Sequence, residues 1–352
     1  MCTTKKNRLL PLIAGASCLL SFNGITQIVP VTAQGTTPQG VLSPNDPDAK
    51  LDPNLVNVPS VIPPTPSRTE STNLSAATAG QAVGYDTATG TTQIIPKNSN
   101  ELTPGSSAPN FGSRGPLGSE SRAMRGSSQE SVIGPDGRIL ITSTTTFPWR
   151  AQAKLFVTFP NGRISGCSGT LIQAKYLLTA GHCVHNKDYG GWYKKIEVVP
   201  GLNNTYKPYG SALATYARTY QSWIKNQSPN SDMALVTLDK SIGNTTGWLA
   251  YKYYSTINGV TANIAGYPGD KGGLKLYYHS GPISSSTAQR VSYSIDTFGG
   301  QSGSGVYRLT DGKRYVFAVH TNGTTASVTT NSGTRLDSAK VSNITSWIAT
   351  GK

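Results

Sequence analysis

Residues 169–183 read GTLIQAKYLLTAGHC. An apolar run reaches Thr179-Ala180 and gives way to small residues around one histidine, His182, with Cys183 directly after it. The run is one of a series. Upstream lies KLFVTF (154–159); downstream follow KIEVVPG (195–201), MALVTL (233–238), ANIAGYPG (262–269), KLYYHSG (275–281), RVSYSIDT (290–297), SGVYRL (304–309) and YVFAVHT (315–321). Gly, Asn, Pro and Ser punctuate them. Many short strands separated by turn signals predict an all-β sandwich or barrel. Only VSNITSWIATG near the C-terminus has helical spacing, with Val341, Ile344, Trp347 and Ile348 on one face. Residues 131–352 suit two small barrels and a closing helix.

The texture upstream of residue 131 differs. Lys5, Lys6 and Arg8 precede an apolar run from Leu9 to Leu20, and Val31-Thr32-Ala33 forms a small-x-small site. This predicts a signal peptide over 1–33, cut after Ala33, and an exported, extracellular protein. The run is short of the ~20 residues a spanning helix needs, so no membrane association is expected after processing. Cys18 raises a lipoprotein signal, but Gly15 stands where such signals prefer a larger aliphatic residue. Residues 34–130 are rich in Thr, Pro, Ser, Gly, Asn and Ala. With few large apolar residues they bury too little to offset ordering entropy, and read as a disordered propeptide. Cys2 and Cys18 leave with the signal; Cys167 and Cys183 remain, and an even number in an exported chain predicts one disulfide.

The chain of 352 residues has a formal net charge of +14. Residues 1–130 hold 9 of the 31 basic and 8 of the 17 acidic residues, leaving 22 basic and 9 acidic, a net +13, for residues 131–352. Such a field favours acidic partners. No run of Lys/Arg interleaved with aromatics appears, so nucleic acid is not expected as a partner.

Three local signals carry chemistry: Thr179-Ala180-Gly181-His182-Cys183, Ser231-Asp232-Met233-Ala234-Leu235, and Gly299-Gly300-Gln301-Ser302-Gly303-Ser304-Gly305. His…Asp…Ser is one of the chain orders of a hydrolytic triad. Ser302 is a weak nucleophile unless His182 takes its proton, and Asp232 fixes the tautomer of that imidazole. The oxyanion needs preorganised donors, most simply the N–H groups of Gly300 and Ser302. A zinc reading is poorer, since no HExxH and no second Cys/His cluster appears. No metal or cofactor is expected, and no EF-hand-like acid spacing suggests calcium.

TAGHC, SDMALV and DTFGGQSGS resemble the chymotrypsin-fold serine proteases, specifically the bacterial glutamyl endopeptidase (V8-like) family. The likeness extends to SVIG at 131, TTTFPWRA near 144–151, GYPGDK at 266–271, HSGPI at 279–283 and AVHTNG at 318–323. It implies two six-stranded antiparallel β-barrels with a C-terminal helix, and a serine endopeptidase acting on proteins or peptides with acidic residues; a monomer is expected. One departure is Gly305, where the family has Pro; this is expected to loosen the strand after the nucleophile.

Two pocket readings compete. Asp296 stands six residues before Ser302, the offset at which trypsin-type proteases carry the acid that selects Lys or Arg, and Arg138-Ile139 offers a trypsin-like activation bond. That activation needs an acid directly before the serine, where this chain has Gln301. The rival is a pocket for glutamate. The resemblance places His320 on its wall, with Thr297 as a hydroxyl donor; an imidazole can donate to a carboxylate and charge beside it. Asp296 then turns away. His279 reads as structural and His185 as a loop residue. Glu130-Ser131 lies where composition, charge and resemblance all divide the chain, so it reads as the processing site between propeptide and a protease domain over 131–352. A contrasting class is an exported binding module that has lost catalysis; the complete His182, Asp232, Ser302 set argues against it.

Overall fold

The structure is a computed structural model of the full chain and describes residues 40–64, 80–96, 130–325 and 327–352. The signal peptide read over 1–33 lies outside the described residues.

Two closed six-stranded antiparallel barrels form the body. The first runs in space through Ala234–Leu238, Tyr176–Thr179, Ile164–Gln173, Gln152–Thr158, Lys195–Pro200 and Ala212–Tyr220, which returns to pair with Ala234–Leu238. The second runs through Lys313–Asn322, Gly305–Thr310, Thr261–Gly266, Tyr277–Ser286, Arg290–Tyr293 and Asn331–Arg335, which closes onto Lys313–Asn322. Closure pairs each barrel strand with a neighbour on both sides over part of its length and gives every strand an inner face. Leu155, Leu171, Leu177, Val198 and Leu235 fill the first barrel; Ile264, Ile283, Val291, Val306 and Phe317 fill the second. The helical spacing near the C-terminus holds: Ser338–Ala349 is a helix capped by Asp337, whose side chain accepts the Lys340 N–H. Its Val341, Ile344 and Trp347 join the core of the first barrel, so the end of the chain ties the barrels together.

The reading of residues 34–130 as disordered is corrected for two pieces. Residues 40–64 form a strap across the first barrel, with 3-10 turns at Pro47–Ala49 and Pro53–Leu55. Leu51 and Leu55 pack with Phe156, Leu202, Tyr267 and Leu276 into a third apolar cluster. Ala82–Asp86 and Thr91–Ile95 form a hairpin whose first strand pairs with Ala212–Tyr220 from Ala82↔Tyr220 to Asp86↔Tyr216. These pieces have no core of their own. A barrel surface supplies the partner their composition lacks, which is why their order was not legible from composition.

Candidate active site

The two barrels each contribute half of a site. Tyr176–Thr179 leads into a 3-10 turn at Gly181–Cys183 that holds His182, and Asp232 caps the turn before Ala234–Leu238. The pairing of these strands, Ala234↔Thr179, brings the two residues together. Asp232 Oδ1 accepts the backbone N–H of His182 at 2.9 Å, and Oδ2 lies 2.8 Å from Nδ1. Both side chains are buried. Burial pushes the imidazole down, but Asp232 beside it outweighs burial and raises its pKa above the ordinary value. Cys167 and Cys183 form a disulfide that ties the histidine turn to Ile164–Gln173.

Ser302 comes from the second barrel, on the loop before Gly305–Thr310. Gly300 and Gly303 have φ of +103° and +90°, in the left-handed region that favours glycine. A Cβ on Gly303 would stand 2.2 Å from the Ser168 carbonyl. The loop is fastened across the barrel interface: the Ser168 N–H donates to Ser302 O and its hydroxyl to Gly300 O, both at 2.8 Å. Gln301 Oε1 accepts the Phe298 N–H at 3.0 Å. Among the described residues the amides of Gly300 and Ser302 donate to no backbone carbonyl.

The Ser302 hydroxyl donates to Glu130 Oε1, while His182 Nε2 has no hydrogen-bond partner among the described residues. Glu130 is 1% exposed, and burial pushes its carboxyl up to about 7. Its Oε1 also lies 3.7 Å from His320 Nε2. His320 is fully buried, which pushes its pKa down to about 3. Its Nδ1 lies 2.7 Å from the Tyr293 hydroxyl, and burial holds that phenol well above its ordinary pKa. When the phenol donates to Nδ1 the imidazole proton stands on Nε2, the atom facing Glu130; in the other tautomer Nδ1 donates to the phenol. Thr297 Oγ1 is buried without a partner among the described residues.

Ser131 is clamped beside this pocket. Its N–H donates to Asn331 Oδ1 at 3.0 Å, its carbonyl accepts from Asn331 Nδ2 at 2.6 Å and from Thr297 N at 3.2 Å, and its hydroxyl meets Thr324 Oγ1 at 2.7 Å. Asp296 turns to the same segment: Oδ1 accepts the Ile133 N–H at 2.7 Å and Oδ2 the Gly137 N–H at 2.8 Å. His279 Nδ1 accepts the Asp296 N–H at 2.8 Å. Arg138 ion-pairs with Asp136 and Asp270.

Two expectations are corrected. His185 belongs to a short strand, His185–Asn186, packed edge-on against Trp192, and burial pushes its pKa down to about 4. Gly305 does not loosen its strand: its N–H donates to Thr170 Oγ1 at 2.9 Å, a bond that a proline there would lack. Sequence reasoning missed Trp223, which packs 6.2 Å from the His182 ring. It also missed Tyr293 and Arg290; the latter joins Thr321, Asn322, Ser332 and Thr334 through its guanidinium. Their alternating strand, RVSYSIDT, was visible; their partners are set by closure of the barrel.

Fold and site together define a chymotrypsin-fold serine endopeptidase. The trypsin family matches residues 142–348, and the chain belongs to that family, among the bacterial glutamyl endopeptidases. It is 37% identical over 224 residues to the glutamyl endopeptidase of Bacillus licheniformis, covering 62% of this chain and 69% of that one. It is 36% identical over 221 residues to a Bacillus subtilis protein named extracellular metalloprotease, covering 62% of this chain and 69% of that one. A solved Glu endopeptidase structure in complex with MPD superposes with a TM-score of 0.56 at 33% identity, over 62% of this chain and 99% of that one. The metal in the second name finds no fitting donor set: among the described residues the one group of three metal-ligating side chains is Cys167, His182 and Cys183. Its two sulfurs form the disulfide.

Proposed function

We propose that this protein is an exported endopeptidase that cleaves after glutamate, and more weakly after aspartate, made as a zymogen and cut between Glu130 and Ser131. The observation that carries the reading is the Glu130 carboxylate lying between Ser302 and His320 Nε2 in a buried pocket. The donors there, His320 Nε2–H and the Thr297 hydroxyl, suit a substrate carboxylate. Asp296 supports no basic selection, because both its oxygens accept backbone amides of the 133–137 segment. The glutamate distribution agrees. The chain has glutamates at 70, 101, 120 and 130, but residues 131–352 hold only Glu197. That residue lies in a strand and pairs with Lys207 at 3.5 Å. Glutamate is among the commonest residues of ordinary domains, so its scarcity suits an enzyme that must survive itself.

In this reading His182 takes the Ser302 proton as Oγ bonds to the substrate carbonyl carbon. The N–H groups of Gly300 and Ser302 receive the oxyanion. The C–N bond breaks, and His182 returns the proton to the leaving amine. Water then attacks the acyl-enzyme by the same route. Asp232 holds the imidazole's tautomer and balances its charge. In the uncut chain the Glu130 side chain, rather than its backbone carbonyl, meets Ser302, an arrangement that does not present the Glu130–Ser131 bond to the chain's own nucleophile. Burial pushes the Glu130 carboxyl up to about 7, so the uncut pocket favours its neutral form below that pH. Cleavage creates a charged amine on Ser131, next to the pocket, that favours an ionised substrate carboxylate.

The test is a panel of peptides differing only at the residue before the cut, given to the processed enzyme. Glutamate should lead, with aspartate behind it. Preference for Lys or Arg would overturn the reading.

A further inference from the structure

The strap reaches the cleft at Pro59-Ser60-Val61. Ser60 bridges Gly166 in parallel: the Gly166 N–H donates to Pro59 O at 2.6 Å, and the Val61 N–H to Gly166 O at 2.9 Å. Gly166 directly precedes Cys167 and Ser168, and Ser168 is bonded to the nucleophile loop. A Cβ on Gly300 would stand 2.9 Å from Ser60 Oγ, so the strap passes against the oxyanion loop. It continues over the histidine loop, where Asn186 Nδ2 donates to Ile62 O at 3.0 Å. That is the side on which a leaving group departs, since His182 hands it a proton.

Beneath the strap lies Lys154. Ala153 and Leu155, its neighbours, enter the barrel core, so Lys154 leaves the strand on the opposite face. Its Nζ is 2.3 Å from the point a Cβ on Gly166 would occupy and 5.5 Å from the centre of the Phe156 ring. The residue is 2% exposed. Among the described residues no carboxylate pairs with it, and burial pushes its amine down to about 7. An amine is a poor filler under a strap, because covering it removes hydration and returns no ion pair. An apolar residue would pack there without that cost.

We propose that Lys154 is a specificity-determining residue of a subsite on the leaving-group side of the cut. When the strap is displaced, a peptide substrate takes the same N–H and C=O of Gly166. An aspartate or glutamate side chain of that peptide then pairs with the Lys154 ammonium. The subsite rests on the reading of residues 131–352 as the processed enzyme, and explains a lysine that the strap alone does not.

The experiment uses processed enzyme and peptides with glutamate fixed before the cut. Glu, Ala and Lys are placed in turn at each of the three positions after it, and only the product cut at the fixed glutamate, identified by mass, is counted. At one position, glutamate should raise kcat/KM about fivefold to tenfold over lysine, the size of one modest ion pair. Lys154→Met should abolish that advantage, and Lys154→Arg should keep it. Salt should shrink the wild-type ratio toward one. Equal rates for acid and lysine at all three positions in the wild type would overturn the proposal, as would an advantage that survives in Lys154→Met. Folding of each variant is checked by fluorophosphonate labelling of Ser302; if Lys154→Met fails to label, the wild-type ratios and Lys154→Arg decide. Failure of the glutamate reading is separate: it appears as loss of preference at the position before the cut, whatever the acid does after it.

Discussion

The pair His182–Asp232 and the pocket around His320 are equally buried but differently finished. Asp232 spends both oxygens on His182, one on the backbone N–H and one on the ring. The pocket instead leaves His320 Nε2 and Thr297 Oγ1 without hydrogen bonds among the described residues, and its own chain supplies the carboxylate that fills it. Buried polar groups left unpaired are costly. The difference teaches that the Asp232 side of His182 is fully paired, with only Nε2 left open toward Ser302, whereas around His320 the one carboxylate in reach comes from Glu130.

The most severe way to break this contrast is to unfinish the pair. Asp232→Asn keeps the shape but offers an N–H where Oδ2 faces Nδ1, which favours the wrong tautomer. Turnover of a glutamate peptide should fall by about 10⁴-fold in kcat, with the disulfide-linked fold retained by circular dichroism. A loss below about tenfold would mean that the histidine is oriented by something other than Asp232.

The occupant of the pocket offers a second, smaller test. Glu130 has its pKa raised, so its docking is fully favourable below the ordinary carboxylate value of 4.5 and weakens as pH rises through about 7. His182, His320 and Asp232 face it, with Ser131, Asn331 and Asp296 holding the segment that follows. The measurement uses Ser302→Ala protein whose mass shows the Glu130–Ser131 bond intact. The substitution removes a hydrogen bond that lowers the carboxyl's pKa, so the upward shift survives. Hydrogen-exchange protection of the Ile133 and Gly137 amides, corrected for intrinsic rates, should drop at least about tenfold between pH 5 and pH 8. Glu130→Gln in the same background should flatten the profile; a profile that stays steep would assign the transition to another group.

Much of the half that holds His182, Asp232 and Ser302 was legible because its signals are local. TAGHC, SDMALV and GGQSGSG each place one reactive residue beside small or apolar neighbours. The strands were read where large apolar residues recur. Asn331–Arg335 was not, since NSGTR has no such residue and owes its place to the ladders on both sides. Ala212–Tyr220 escaped for a related reason: ALATYARTY mixes Ala, Thr, Tyr and Arg, and Arg218 is buried only because Thr237, Thr350 and the Tyr216 ring receive it. The order of the strap and hairpin was illegible because their burial partner is a folded barrel. The second line of the pocket was illegible for the same physical reason, since Tyr293 and His320 are 27 residues apart and meet only across the closed sheet.

That contact gives the finest probe of the contrast. If the pocket works through a directed N–H, then Tyr293 contributes by fixing which nitrogen of His320 carries the proton. Tyr293→Phe keeps the ring and removes the donor. The imidazole then divides its proton between Nδ1 and Nε2, and a substrate carboxylate meets an acceptor in part of the molecules. The kcat/KM for a glutamate peptide should fall about tenfold, one hydrogen bond's worth. A matched peptide with glutamine, which can accept or donate at its amide, should lose less. Fluorophosphonate labelling of Ser302 should keep its rate, because it reads the triad and the oxyanion donors. An equal loss for glutamate and glutamine would assign Tyr293 a packing role and leave the tautomer of His320 to be set by another neighbour.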